Sequence, residues 1–128
     1  MGYYFSKTVG MPFDEAVDHV TKALADKGFG VLTTIDVKAT MKNKLGVDGK
    51  PYTILGACNP HLAWRALQAE DKIGTMLPCN VIVTEHAPGE VEIAAVDPVA
   101  SMKAIENPSL GEVADKVRTM LSEVIDSL

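Results

Sequence analysis

The 128-residue sequence lacks the features that mark several specialised classes of protein. No apolar run reaches the roughly 18 residues needed to cross a bilayer. The first residues lack the basic region and apolar core of a signal peptide. Two cysteines are too few for a disulfide-rich scaffold. We therefore expect a cytoplasmic protein without a membrane partner, whose cysteines are free thiols.

Basic residues are also scarce, with 12 Lys and Arg against 17 Asp and Glu and a net charge of −5. A nucleic-acid-binding face must neutralise phosphates with Lys and Arg, so we expect no nucleic-acid partner. The glycine-rich fingerprints of the Rossmann fold and the P-loop are absent. Spacing alone indicates no Ser-His-Asp triad and no carboxylate pair, which leaves open whether the protein is an enzyme.

The composition that is present suits one globular core. Apolar residues make up 47% of the chain, so we expect a single domain over residues 1–128. Alternating patterns predict five strands, over residues 3–9, 29–37, 52–58, 80–86 and 90–96. Helical spacing predicts two long helices, one between Pro12 and Gly28 and one over residues 110–128. The order βαββαββα predicts an α+β fold in which helices pack against one sheet.

Helix-end signals accompany these patterns. Gly28 is suited to a left-handed cap after the first long helix. The run Ser109-Leu110-Gly111-Glu112 has the form of a capping box for the last one. Shorter helical turns are expected at residues 39–45, after Pro60 and after Pro98.

Two short segments, Cys58-Asn59-Pro60 and Pro78-Cys79-Asn80, contain the candidate site. Asn59 is a favourable N-cap and Pro60 suits the first helical position, so Cys58 should lie near the positive end of a helix dipole, where a thiol pKa is lowered. If the third and fourth strands are neighbours, Cys79 shares this end of the sheet. We therefore predict a ligand site where five residues converge, namely Cys58, Asn59, His61, Cys79 and Asn80. The alternative is that both thiols are inert core residues.

A metal site built from Cys58, His61, Cys79 and His86 is not expected. His86 follows Cys79 by seven residues on one strand, a span of roughly 23 Å, so at most three of the four ligands could converge. We accordingly predict no metal and no cofactor. Four lysines, at positions 38, 42, 44 and 50, are interpreted as a solvated face, with a cradle for an anionic ligand as the alternative.

Several of these segments resemble a known family at the family's own spacing. They are Leu55-Gly56-Ala57-Cys58-Asn59-Pro60, Leu77-Pro78-Cys79-Asn80-Val81 and Val96-Asp97-Pro98, and together they resemble the family called domain of unknown function 302. The resemblance is specific from about residue 35 to residue 98, and residues 27–31 look like the family's usual N-terminal part. It implies a small α+β domain, often dimeric, with no established activity. A branch of that family without either cysteine implies that Asn59, Pro60 and Pro78 serve the fold.

From residues and resemblance together, we expect a homodimeric protein that binds a small anionic or sulfur-containing molecule near the two cysteines. A dimer would cover the apolar surface that the sheet leaves open. One alternative is a thiol-dependent enzyme or a sulfur or redox carrier, with Cys58 and Cys79 as its catalytic residues. The other is a purely structural or interaction dimer.

Overall fold

The computed structural model describes residues 2–128, and its centre is one five-stranded sheet. The strands are β1 (Tyr4–Val9), β2 (Gly30–Asp36), β3 (Tyr52–Cys58), β4 (Cys79–Ala87) and β5 (Glu90–Val96). They lie in the order β1-β5-β4-β3-β2, and every neighbouring pair is antiparallel. The predicted α+β class is confirmed.

Five helices connect or follow the strands. They are α1 (Phe13–Asp26), α2 (Val37–Leu45), α3 (Pro60–Ala69), α4 (Pro98–Ser101) and α5 (Pro108–Asp126), with a 3₁₀ helix over Asp71–Met76. The predicted order βαββαββα leaves out the 3₁₀ helix as well as α2 and α4, which were predicted as shorter helical turns. None of the helices within residues 2–128 is both long and apolar enough to span a membrane.

Helix caps explain where the elements differ from expectation. The second strand stops at Asp36 because its carboxylate accepts a hydrogen bond from the Ala39 N–H at 2.9 Å and starts α2. The predicted capping box at Ser109 is wrong. Asn107 caps α5 instead, accepting from the Ser109 N–H at 3.0 Å, because Pro108 occupies the first helical position. Gly28, with φ 84°, follows α1 as expected.

The core lies between one face of the sheet and the apolar stripes of α1 and α5. Side chains alternate along each strand, so Val81, Val83 and Ile93 point into this core while their neighbours point away. The stripe predicted for the last helix is confirmed from Leu110 to Val124, with Leu128 half-buried. This burial is the main source of the fold's stability.

The other side of the sheet is lined by residues that do not join the core. We call this surface the open face and define it by its strand positions: Tyr4, Ser6, Thr8, Thr33, Ile35, Tyr52, Ile54, Gly56, Asn80, Ile82, Thr84, Glu92 and Ala94. At Gly56 the side chains of Thr33 and Pro78 approach the backbone closely, and a Cβ there would lie 2.7 Å from Pro78 Cγ. Glycine is therefore required where β3 passes beneath Pro78, whose peptide bond with Leu77 is cis.

Candidate functional site

A cavity of about 280 Å³ lies at the end of the sheet where β3 finishes and β4 begins. Its wall combines these two strand ends with α3, α5 and the segment around α4. The lining residues are Phe29, Leu32, Ala57, Cys58, Asn59, Leu62, Ala63, Ala66, Leu67, Leu77, Pro78, Cys79, Pro98, Met102, Val113, Ala114 and Val117. Apart from the two thiols and Asn59, every one of these side chains is apolar.

The two cysteines meet at this cavity because β3 and β4 are paired. Cys79 lies opposite Ala57 in the strand register, and Cys58 is the next residue along β3. Both are free thiols; Cys79 is 8% exposed and Cys58 is half-buried. The condition set by the sequence, that the third and fourth strands be neighbours, is therefore met.

Asn59 fixes the start of α3 at the rim of the cavity. Its side-chain oxygen accepts a hydrogen bond from the Leu62 N–H at 3.2 Å, as the Asn-Pro pair predicts. Its amide nitrogen would lie only 3.1 Å from a Cβ at Gly28, so the glycine after α1 also leaves room for this amide. The polar atoms of Asn59 thus serve the helix cap and the packing of two helix ends.

The other two predicted site residues do not line the cavity. Asn80 follows Cys79 on β4, so alternation directs it to the open face, where it is exposed. His61 lies in the first turn of α3 and is also exposed. The predicted convergence of five residues is therefore reduced to three: Cys58, Asn59 and Cys79.

The lowered pKa expected for Cys58 is wrong. Burial raises the pKa of Cys58, and burial together with repulsion from Cys58 raises the pKa of Cys79 to about 11. No charged side chain lies among the described lining residues to stabilise a thiolate, so desolvation dominates. At neutral pH this wall presents two uncharged thiols.

The lysine cluster lies away from the cavity. Lys38, Lys42 and Lys44 belong to α2, and Lys42 forms an exposed ion pair with Asp48 at 3.1 Å. None of the four lysines lines the cavity between β3 and β4. These residues cannot neutralise an anion bound beside the cysteines.

Within residues 2–128, no three or more His, Cys, Asp and Glu side chains are grouped to hold a metal ion. Of the four residues weighed for that role, Cys58 and Cys79 line the cavity and His61 is exposed. His86 lies near the other end of β4. There, its Nε2–H donates to Glu92 at 2.9 Å, and Lys50 donates to its Nδ1 at 3.2 Å.

Sequence reasoning missed both this polar cluster and most of the cavity wall. Lys50, His86 and Glu92 are brought together by strand pairing, and the hydrogen bond from His86 holds the pKa of Glu92 below its usual value. Met102 adds a third sulfur to the wall of the cavity. The stripe of α5 was predictable as apolar, but no local signal distinguishes its cavity-lining members from its fully packed ones.

Comparison with known proteins relates the whole chain to one family. The family model described as "Domain of unknown function DUF302" matches residues 5–128, well beyond the segment 35–98 that carries the specific motifs. The fold is similar to the crystal structure of an uncharacterized conserved protein DUF302 from Bacillus stearothermophilus. The two are 28% identical with a TM-score of 0.89, and the similarity covers 98% of each chain. A comparison with curated proteins finds no match.

Proposed function

The chain belongs to the DUF302 family, and we propose that it is a small-molecule binding protein whose ligand occupies the cavity beside Cys58 and Cys79. The observation that supports this most is the apolar wall around about 280 Å³ of space, with thiols and one amide as its polar groups. An apolar pocket lined by a few convergent polar groups is the default hypothesis for a binding site.

The wall narrows the ligand to a neutral, largely apolar molecule. A 150 Å³ apolar cavity holds one benzene, so about 280 Å³ suits roughly a dozen non-hydrogen atoms. An anion would lose its hydration without gaining a cation partner, at a cost of several kcal/mol. Of the two ligand classes expected from the sequence, a sulfur-containing one fits this wall better than an anionic one. Cys58, Cys79 and Met102 would supply soft, polarisable contacts.

We would test this with two aromatic probes that differ in charge. Naphthalene is neutral and 1-naphthoate carries a carboxylate, and both can be titrated into ¹⁵N-labelled protein and followed by NMR. We expect naphthalene to shift amide resonances of α3, β4 and α5, with at least tenfold weaker binding of 1-naphthoate. Shifts from neither probe, or shifts confined to other parts of the chain, would refute an apolar ligand site here.

A cavity-filling variant sharpens that test. Ala63 lines the cavity on α3 and is only half-buried, so Ala63→Leu should occupy the space without unfolding the domain. We expect it to weaken naphthalene binding at least tenfold. The matched control is Ala25→Leu, an exposed helical position on α1 outside the cavity, which should bind like the original protein.

A second candidate function is a thiol-dependent enzyme or a sulfur or redox carrier using Cys58 and Cys79. The observation in its favour is that both free thiols line one cavity, with Cys79 opposite Ala57, the residue before Cys58. Their raised pKa values weigh against nucleophilic chemistry at neutral pH, because the thiolate is the reactive form. We therefore rank it below simple binding.

We further propose that the protein is a homodimer and that it acts in the cytoplasm. The acidic composition and free thiols support the second point. A purely structural dimer, the third possibility, predicts that neither probe binds and that both thiols stay unreactive.

A further inference from the structure

The open face carries very little charge for a surface that lies outside the core. Glu92 is its only acidic member, and it has no lysine or arginine. Glu92 is moreover held by His86, which Lys50 contacts from the other side. In contrast to the open face, the solvent-facing sides of α1 and α5 carry many charged residues, such as Asp14, Glu112 and Lys116. Protein–protein interfaces are depleted of charged residues at their centres.

The same face exposes large apolar and aromatic side chains. Tyr4 is 49% exposed and Ile35 is 46% exposed, on strands at opposite edges of the sheet. Between Tyr4 and Tyr52 lies a depression of about 390 Å³, so the surface has room for a protruding side chain of a partner. Aromatic residues are enriched in protein–protein interfaces.

The dimensions of the face suit a dimer of ordinary size. Five strands about 4.8 Å apart and six to nine residues long give a surface of roughly 500 Å² in plane. Two such corrugated faces in contact would bury on the order of 1,000–1,500 Å² in total, which overlaps the range of specific interfaces.

The charge of the chain favours a second copy as the partner that covers the open face. A copy has a net charge of −5, so docking through the acidic helical surfaces would bring like charges together. The open face avoids this cost, because its only carboxylate, that of Glu92, is already hydrogen-bonded to His86. His86 in turn accepts a hydrogen bond from Lys50. A nucleic acid or an anionic membrane would need basic residues that this face does not have.

We propose that two copies of the chain dock face to face through the open face of the sheet, with Ile82 near the centre of the contact. The inference rests on the proposed homodimer and not on a ligand in the cavity, whose wall includes residues of α3 and α5 rather than the centre of the open face. It assigns the dimer to a defined surface. It also accounts for the exposure of Tyr4 and Ile35 in a single chain.

Sedimentation velocity on the full chain tests the assignment. One chain has a mass of 13.7 kDa, and we expect the original protein to sediment at twice that mass. Ile82→Asp places a charge at the centre of the contact and should yield the single-chain mass. Ile35→Asp should also weaken the dimer. Ile35 is exposed, so this substitution should leave the fold intact. Val47→Asp is the matched control, because Val47 is a 48% exposed apolar residue outside the sheet.

The outcomes separate the inference from the proposed functions. An original protein that sediments as a single chain overturns the homodimer itself. A protein that stays dimeric with both Ile82→Asp and Ile35→Asp, while circular dichroism shows them folded, overturns this choice of face. The naphthalene titration decides the ligand cavity independently, and a single-chain Ile82→Asp variant should still bind the probe.

Discussion

At the scale of single residues, the thiol of Cys79 is the clearest case of an environment changing chemistry. Its pKa of about 11 lies above the value of about 8.5 for an unperturbed thiol, because burial penalises the thiolate and Cys58 repels it. A folded-state pKa above the unfolded one contributes stability that is complete below the unfolded pKa. That contribution is lost as the pH rises through the folded pKa. We therefore expect the domain to lose stability between about pH 8.5 and 11.

The pKa values of the two thiols can be measured directly from the thiolate absorbance at 240 nm of two single-cysteine variants. Cys58→Ser leaves Cys79 alone, and we expect its midpoint to stay well above 8.5 but below that of the original protein, since the repulsion from Cys58 is gone. Cys79→Ser reports Cys58, whose midpoint should also lie above the unperturbed value. Either thiol titrating below pH 8 would contradict the desolvated wall and favour the thiol-dependent function.

Whether the role of a single residue can be predicted from the sequence depends on how far along the chain its partners lie. The cap formed by Asn59 was predictable, because it depends on an Asn-Pro pair and a hydrogen bond to Leu62 three residues away. The direction of the Cys58 pKa was not. The dipole argument is local, whereas burial comes from walls that include α5, more than fifty residues further along the chain.

At the scale of elements, the start of α5 gives a test between the sequence pattern and the structure. Asn107 accepts from the Ser109 N–H, and its amide also donates to the Ala69 carbonyl at 2.8 Å. We expect Asn107→Ala to lower the free energy of unfolding by about 1–2 kcal/mol, measured by urea denaturation. Ser109→Ala should change it by less than about 0.5 kcal/mol, because Ser109 is exposed and offers only its backbone N–H. A larger loss of unfolding free energy with Ser109→Ala than with Asn107→Ala would instead support the capping box predicted from the sequence.

The elements themselves were largely predictable, because their signals are periodic. The stripe of α5 and the alternation of β3 and β5 place the correct faces inward. Helix α2 was predicted only as a short basic turn, since it buries no residue and so has no apolar period to detect. The pairing of β1 with β5 joins residues almost ninety positions apart, and no local pattern specifies it.

At the scale of the whole molecule, the sequence predicted the α+β class and the family, and neither determines where the ligand cavity or the open face lies. Both surfaces arise from the sheet order. Cys58 reaches Cys79 because β3 pairs with β4, and Glu92 reaches His86 because β4 pairs with β5. The predicted site lost Asn80 for the same reason, because a strand at the centre of a sheet directs successive residues to opposite sides.

The charge distribution of the whole molecule makes a last prediction about its self-association. A dimer held by the open face depends on apolar burial, so salt has few charge pairs to screen. We expect the dissociation constant, measured by sedimentation equilibrium, to change by less than about threefold between 50 and 500 mM NaCl, or to fall slightly. Docking through the helical surface of a chain with net charge −5 would instead depend on ion pairs or on repulsion. A dissociation constant that changes tenfold or more over this range would place the contact on the charged surface.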